Sequence, residues 1–184
     1  MKVFWITLDF DLKKKPLWLD SFRKLYDEPY DYHITLKYTT LIENKETAKL
    51  KRETQVIADE SNPLVVEFND YFFNKTSTGN LIMIAARHNE NLFVLQEKVV
   101  TRLKKFGETI KPYYQGFEDN FQPHITIARK LSDKKMLAAK DQLREPILCQ
   151  TKITQLSLKI MDQTDLNAPN KLNETLHYKF RASK

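Results

Sequence analysis

The chain opens on an apolar run, Lys2-Val3-Phe4-Trp5-Ile6-Thr7-Leu8, that stops at Asp9 and Asp11, a pattern that predicts a first β-strand. Lys13-Lys14-Lys15-Pro16 then turns the chain into a short helix over Leu17 to Tyr26, which Pro29 prevents from continuing. Tyr32 to Tyr38 alternates as a strand. Lys45 to Glu60 carries apolar residues at Ala48, Leu50, Ile57 and Ala58 and predicts a helix ended by Ser61-Asn62-Pro63. Leu64 to Phe68 and Leu81 to Ala86 predict strands separated by loop sequence around Thr78-Gly79-Asn80. The clearest helix is Leu92 to Phe106, where Leu92, Leu95, Val99, Leu103 and Phe106 recur every three or four residues and Gly107 follows the end. Phe121 to Ala128 predicts a strand and Ser132 a cap for a helix over Asp133 to Leu143. Ile153, Leu156, Leu158 and Ile160, followed by Leu176 to Phe180, predict two closing strands.

Written as elements, this is βαβαβ followed by βαβαββ, and the middle strand of each half contains the same tripeptide, His-Ile-Thr. The chain reads as a duplication. No low-complexity linker divides the halves, so residues 1–184 are expected to form a single α+β domain of two packed lobes. A length of 184 residues suits one well-buried unit, and 41% apolar with 29% charged residues is a globular balance. Only three glycines occur, and neither a Walker loop nor a G-x-G-x-x-G fingerprint is present, which argues against ATP and dinucleotide folds. The net charge of +6 favours polyanionic partners, though lysines on helix faces serve equally as solubilising charge. Cys149 is the only cysteine, so an intrachain disulfide and a Cys-based zinc site are excluded and a cytoplasmic location is expected. No stretch reaches transmembrane length.

The two motifs, His33-Ile34-Thr35-Leu36 and His124-Ile125-Thr126-Ile127, each alternate polar and apolar residues. On a strand that puts His33, Thr35, His124 and Thr126 on an open face and the aliphatics in the core. One neutral imidazole can deprotonate water or a hydroxyl while a second, protonated imidazole supplies the leaving oxygen with its proton. The threonine hydroxyls can donate to nonbridging phosphate oxygens. A single H-x-T is an ordinary half-exposed strand. Two of them, opening an identical tripeptide in a chain with four histidines, point to metal-independent phosphoryl transfer. No H-x-x-x-H or carboxylate–histidine cluster offers a metal site, and His88 and His177 read as surface or structural residues.

These motifs, with the opening Val3-Phe4-Trp5-Ile6-Thr7-Leu8-Asp9 strand, His33 to Tyr38 and above all Phe121-Gln122-Pro123-His124-Ile125-Thr126-Ile127-Ala128-Arg129, resemble the two-histidine (2H) phosphoesterase superfamily. The similarity is to its RNA 2',3'-cyclic phosphodiesterases, also called 2'-5' RNA ligase-like proteins. It implies a bilobal fold of two pseudo-symmetric β-sheets flanked by helices, with a central active-site groove. It also implies catalytic His33 and His124, phosphate binding by Thr35, Thr126 and Arg129, and hydrolysis of a 2',3'-cyclic phosphate to a 2'-phosphate. His33 would then be the acid and His124 the base. Many relatives have Leu-Gly where this chain has Thr39-Thr40-Leu41, a departure that touches loop geometry.

The expected partners are RNA ends or nucleoside 2',3'-cyclic phosphates, with no cofactor, metal or membrane and a monomeric chain. Strict alternation points Arg129 away from the His124 face, so it reaches the site only if the strand ends or bulges near Ala128. The same parity puts Lys37 on the His33 face, as a phosphate attractant or a solvated strand residue. The stretch Lys111-Pro112-Tyr113-Tyr114-Gln115-Gly116-Phe117 reads as a connection whose rings either stack bases or pack onto the core. Two other readings stand beside hydrolysis of RNA cyclic ends: a phosphodiesterase of 2',5'-linked oligonucleotides or small cyclic nucleotides, and a noncatalytic RNA-binding domain.

Overall fold

The computed structural model describes residues 1–107, 109–110, 112–162 and 174–181, with the backbone alone for 112–115. The strands are β1 (Lys2–Asp9), β2 (His33–Ile42), β3 (Leu64–Thr76), β4 (Gly79–Ala86), β5 (His124–Leu131), β6 (Cys149–Ile153), β7 (Gln155–Asp162) and β8 (Glu174–Lys179). The helices are α1 (Trp18–Leu25), α2 (Thr47–Asp59), α3 (Glu90–Leu103), α4 (Pro112–Asp119) and α5 (Asp133–Lys140). The strands form two antiparallel four-stranded sheets, ordered β2-β1-β7-β8 and β5-β4-β3-β6. This is the α+β architecture of two matching sheets that the family resemblance implies. Among the described residues, no helix is long and apolar enough to cross a membrane.

The two halves are not two sheets. Strands cross between the halves: β3, from the first, pairs with β4 and β6, while β7 and β8, from the second, extend the sheet of β1 and β2. The run expected as one strand over Ile153 to Ile160 is therefore two, with Ile153 in one sheet's core and Leu156, Leu158 and Ile160 in the other's. The interval from Ile153 to Leu156 is odd, so the period of two fails at the point where the chain changes sheets.

The remaining differences have local causes. β3 continues past Phe68 to Thr76, through a register shift between Phe68 and Asp70 that scrambles the alternation of Asn69 to Thr76. The connection expected before the second motif contains α4. The helices otherwise follow their apolar spacing: α1 buries Leu19 and Phe22, α2 buries Leu50, Thr54, Ile57 and Ala58, and α3 buries Leu92, Leu95, Val99 and Leu103. Each fully buried Leu or Ile contributes about 1.5–3 kcal/mol relative to exposure. Asn89 caps α3 by accepting from the Leu92 N–H, and Ser132 caps α5 by accepting from that of Lys135.

The apolar residues of both sheets and of α1, α2, α3 and α5 join one core. β2 and β5, the edge strands that carry the two motifs, lie against each other. The Thr39-Thr40-Leu41 departure belongs to β2, which runs on to Ile42. Gly107 follows α3 at φ 149°, where a Cβ would lie 2.1 Å from the Leu41 carbonyl oxygen, so the helix exit can pass this extended strand only as glycine.

Candidate active site

His33 and His124 are the first residues of β2 and β5, and their rings are held in the same way. His33 Nδ1 lies 2.8 Å from the Asp31 carbonyl oxygen and His124 Nδ1 lies 2.7 Å from that of Gln122. A carbonyl only accepts, so each Nδ1 carries the hydrogen and each Nε2 is left to exchange a proton. Both rings are half-buried, as are Thr35 and Thr126 on the same strand faces. Burial lowers the pKa of both histidines below the ordinary 6.5, against the upward pull of the carbonyl hydrogen bonds. Lys159 and Arg129 add to the lowering at His33 while Asp9 opposes it, and Arg129 adds to it at His124.

Both strands bulge just past the threonine. In the first sheet Ile6 pairs with Lys37 and Thr7 with Thr35, so two residues of β2 answer one of β1. In the second, Ile82 pairs with Ala128 and Met83 with Thr126. The extra residue buries two consecutive side chains in each strand, Leu36 with Lys37 and Ile127 with Ala128. Parity then resumes one residue late, returning Arg129 to the His124 face. This satisfies the condition on which Arg129 was expected to reach the site, and its charge acts on both histidines. Tyr38 is its counterpart in β2.

Lys37 is corrected by the same bulge. It is 3% exposed and its ammonium lies 3.1 Å from Glu118 of α4, whose side chain is 1% exposed. Glu118 also accepts from the Tyr38 N–H at 2.8 Å. Lys37 is thus a buried partner tying α4 to β2, neither a solvated residue nor a phosphate attractant. Phe117 lies 5.7 Å from the Tyr38 ring, and burial together with Glu118 pushes the Tyr38 hydroxyl up to about 12. The side chains of the aromatic stretch from Lys111 to Gln115 lie outside the described residues.

Several residues at the site carry no signal in the sequence. Arg129 donates from Nε to Glu28 Oε2 at 2.7 Å and its guanidinium lies 4.5 Å from the Tyr30 ring centre. Tyr30 in turn meets His33 edge-on at 6.4 Å. Asp9 stands across the ladder from His33, accepting from Thr7 at 2.8 Å and from Lys159 at 2.9 Å. Burial opposes the charge on Asp9, but Lys159, Thr7 and Ser157 outweigh it and its pKa is lowered. Ser157 lies 2.9 Å from His177 Nδ1, so that histidine joins the polar face of β7 and β8. In the second sheet Ala85 stands across from His124, and Phe72 meets its ring edge-on at 5.3 Å. His88 is exposed beside Glu90, at 3.4 Å, and Phe93.

Residues 14–165 match the model of the 2'-5' RNA ligase superfamily. The chain belongs to that family. It is accordingly a phosphoesterase of the two-histidine type. A Geobacillus kaustophilus protein with a provisional phosphoesterase name is 31% identical over 131 residues, covering 68% of each chain. Among solved structures, TT0787 of Thermus thermophilus superposes with a TM-score of 0.59 at 13% identity over 100% of both chains. LigT of Escherichia coli, complexed with 3'-AMP, gives a TM-score of 0.57 at 12% identity over 98% of this chain and 95% of its own. At such identity the two solved structures establish the superfamily's fold.

Proposed function

We propose that the protein hydrolyses 2',3'-cyclic phosphates at RNA ends to 2'-phosphates, using His33 and His124 without a metal. The observation that carries this reading is the matched pair of Nδ1–carbonyl hydrogen bonds, which leaves two Nε2 atoms, one from each edge strand, as proton-exchanging groups. Water attacks phosphorus as His124 Nε2 takes its proton, and the bond to O3' breaks as His33 Nε2 protonates the departing oxygen. Thr35, Thr126 and Arg129 hold the nonbridging oxygens, where charge accumulates. Proton exchange with solvent then restores the pair. The direction, with O3' leaving toward His33, follows the family resemblance. The nucleotide in the LigT complex is consistent with a ligand of this class.

The family's name favours one other reading, a 2',5' phosphodiester as substrate, which needs the same two proton transfers. Turnover of adenosine 2',3'-cyclic phosphate in EDTA, with phosphorus NMR of the product, tests the proposal. The expected outcome is adenosine 2'-phosphate. Complete loss in EDTA with rescue by a divalent ion rejects the metal-free mechanism.

A further inference from the structure

A cavity of about 280 Å³ opens behind Arg129, between the turn after α1 and the end of β5, with Tyr26, Asp27, Tyr30, Arg129, Lys130 and Lys135 in its wall. It adjoins the histidine pair through two of these residues: Tyr30 meets the His33 ring, and the charge of Arg129 acts on both imidazoles. Lys130 and Lys135 are exposed, and among the described residues neither ammonium has a side-chain partner. Arg129 is already answered by Glu28, so the cavity sets two unanswered ammonium groups against the single exposed carboxylate of Asp27. Asp27 and Lys130, at φ 51° and 56°, are the described non-glycine residues with left-handed backbone, and both line this one cavity. Such conformations are sparsely populated and cluster at ligand clamps.

We propose that this cavity is a subsite for the phosphodiester next to the reacting phosphate, in which Lys130 and Lys135 select a strand end over a free cyclic mononucleotide. The inference rests on the phosphodiesterase reading above and adds a specificity-determining subsite to it. Lys130 and Lys135 answer the charge of the flanking phosphate, while the Tyr30 ring, 42% exposed, gives the adjoining nucleoside a flat surface.

Binding of two products by calorimetry at low salt tests it: adenosine 2'-phosphate, and an RNA dinucleotide ending in adenosine 2'-phosphate. The expected result is that the dinucleotide binds roughly tenfold tighter than the mononucleotide, and that Lys130→Gln/Lys135→Gln removes this advantage while mononucleotide affinity is retained. The dependence of log affinity on log salt for the dinucleotide should flatten in the double variant. Equal binding of the two products by the wild type, or an advantage that survives the double substitution, overturns the subsite. Cyclic-phosphate turnover is read on the same proteins. Loss of the dinucleotide advantage in a protein that hydrolyses neither cyclic form would leave the subsite standing and remove the hydrolytic reading.

Discussion

Arg129 donates to Glu28 at 2.7 Å, joining the end of β5 to the turn after α1, and Glu28 is all but sealed from solvent, with 1% of its side chain exposed. The guanidinium is aimed by this contact and by the Tyr30 ring beneath it. Glu28→Gln should therefore leave the fold in place and loosen Arg129. A charge-assisted hydrogen bond is worth about 1.5–3 kcal/mol, so kcat/KM for a cyclic phosphate should fall roughly 10- to 100-fold. An unchanged kcat/KM would detach Arg129 from the reacting phosphate.

The histidines themselves make a sharper prediction. His33→Ala and His124→Ala each remove a proton-transfer partner from a half-buried position and should cost about 10²- to 10⁴-fold in turnover while the protein stays folded. Thr35→Ala and Thr126→Ala should each cost on the order of 10²-fold, the scale of one lost oxyanion donor. Wild-type turnover in a folded His33→Ala or His124→Ala protein would end the two-histidine mechanism.

The histidine and threonine positions could be read from period-two alternation because the bulges fall after Thr35 and Thr126. The residues just beyond them, Lys37 and Tyr38 in β2 and Ala128 and Arg129 in β5, are displaced by one residue before a second shift restores the phase, which is why Lys37 looks open and Arg129 looks turned away on parity alone. The strand exchange has the same character: spacing signals that Ile153 and Leu156 are out of phase, but which sheet receives each strand depends on pairing between distant segments. Glu28 and Tyr30 meet Arg129, and Lys159 meets Asp9, across long sequence separations, and nothing local distinguishes them from ordinary surface residues.

The pH dependence follows from the environment of the pair. Activity needs one imidazole protonated and one neutral, so the profile should be a bell whose limbs belong to the coupled pair. Both pKa values are lowered from 6.5, chiefly by burial, so the optimum should lie on the acid side of 6.5, with activity falling as pH rises through the upper limb. Stability has its own sign. The unfolded histidines bind protons more readily than the folded ones, so their contribution is complete above 6.5 and is lost as pH falls through the folded values. Thermal melts should show Tm declining below about pH 6.5. The decline should be shallower in His33→Ala/His124→Ala, and an identical slope in that variant would place the acid sensitivity elsewhere.

Lys37 supplies the test that separates a structural cation from a substrate-binding one. Its ammonium and the Glu118 carboxylate are buried together at 3.1 Å, and Glu118 also receives the Tyr38 N–H. Lys37→Met strands a carboxylate in the core, and breaking a buried pair in this way typically costs about 3–5 kcal/mol. Adding Glu118→Gln removes the stranded charge yet keeps an oxygen to accept from Tyr38, so Lys37→Met/Glu118→Gln should recover much of that loss. Denaturant melts of the two variants measure the recovery, and kcat/KM of the folded double variant should stay near wild type. A double variant no more stable than Lys37→Met, or a stable one with greatly raised KM, would return Lys37 to the phosphate.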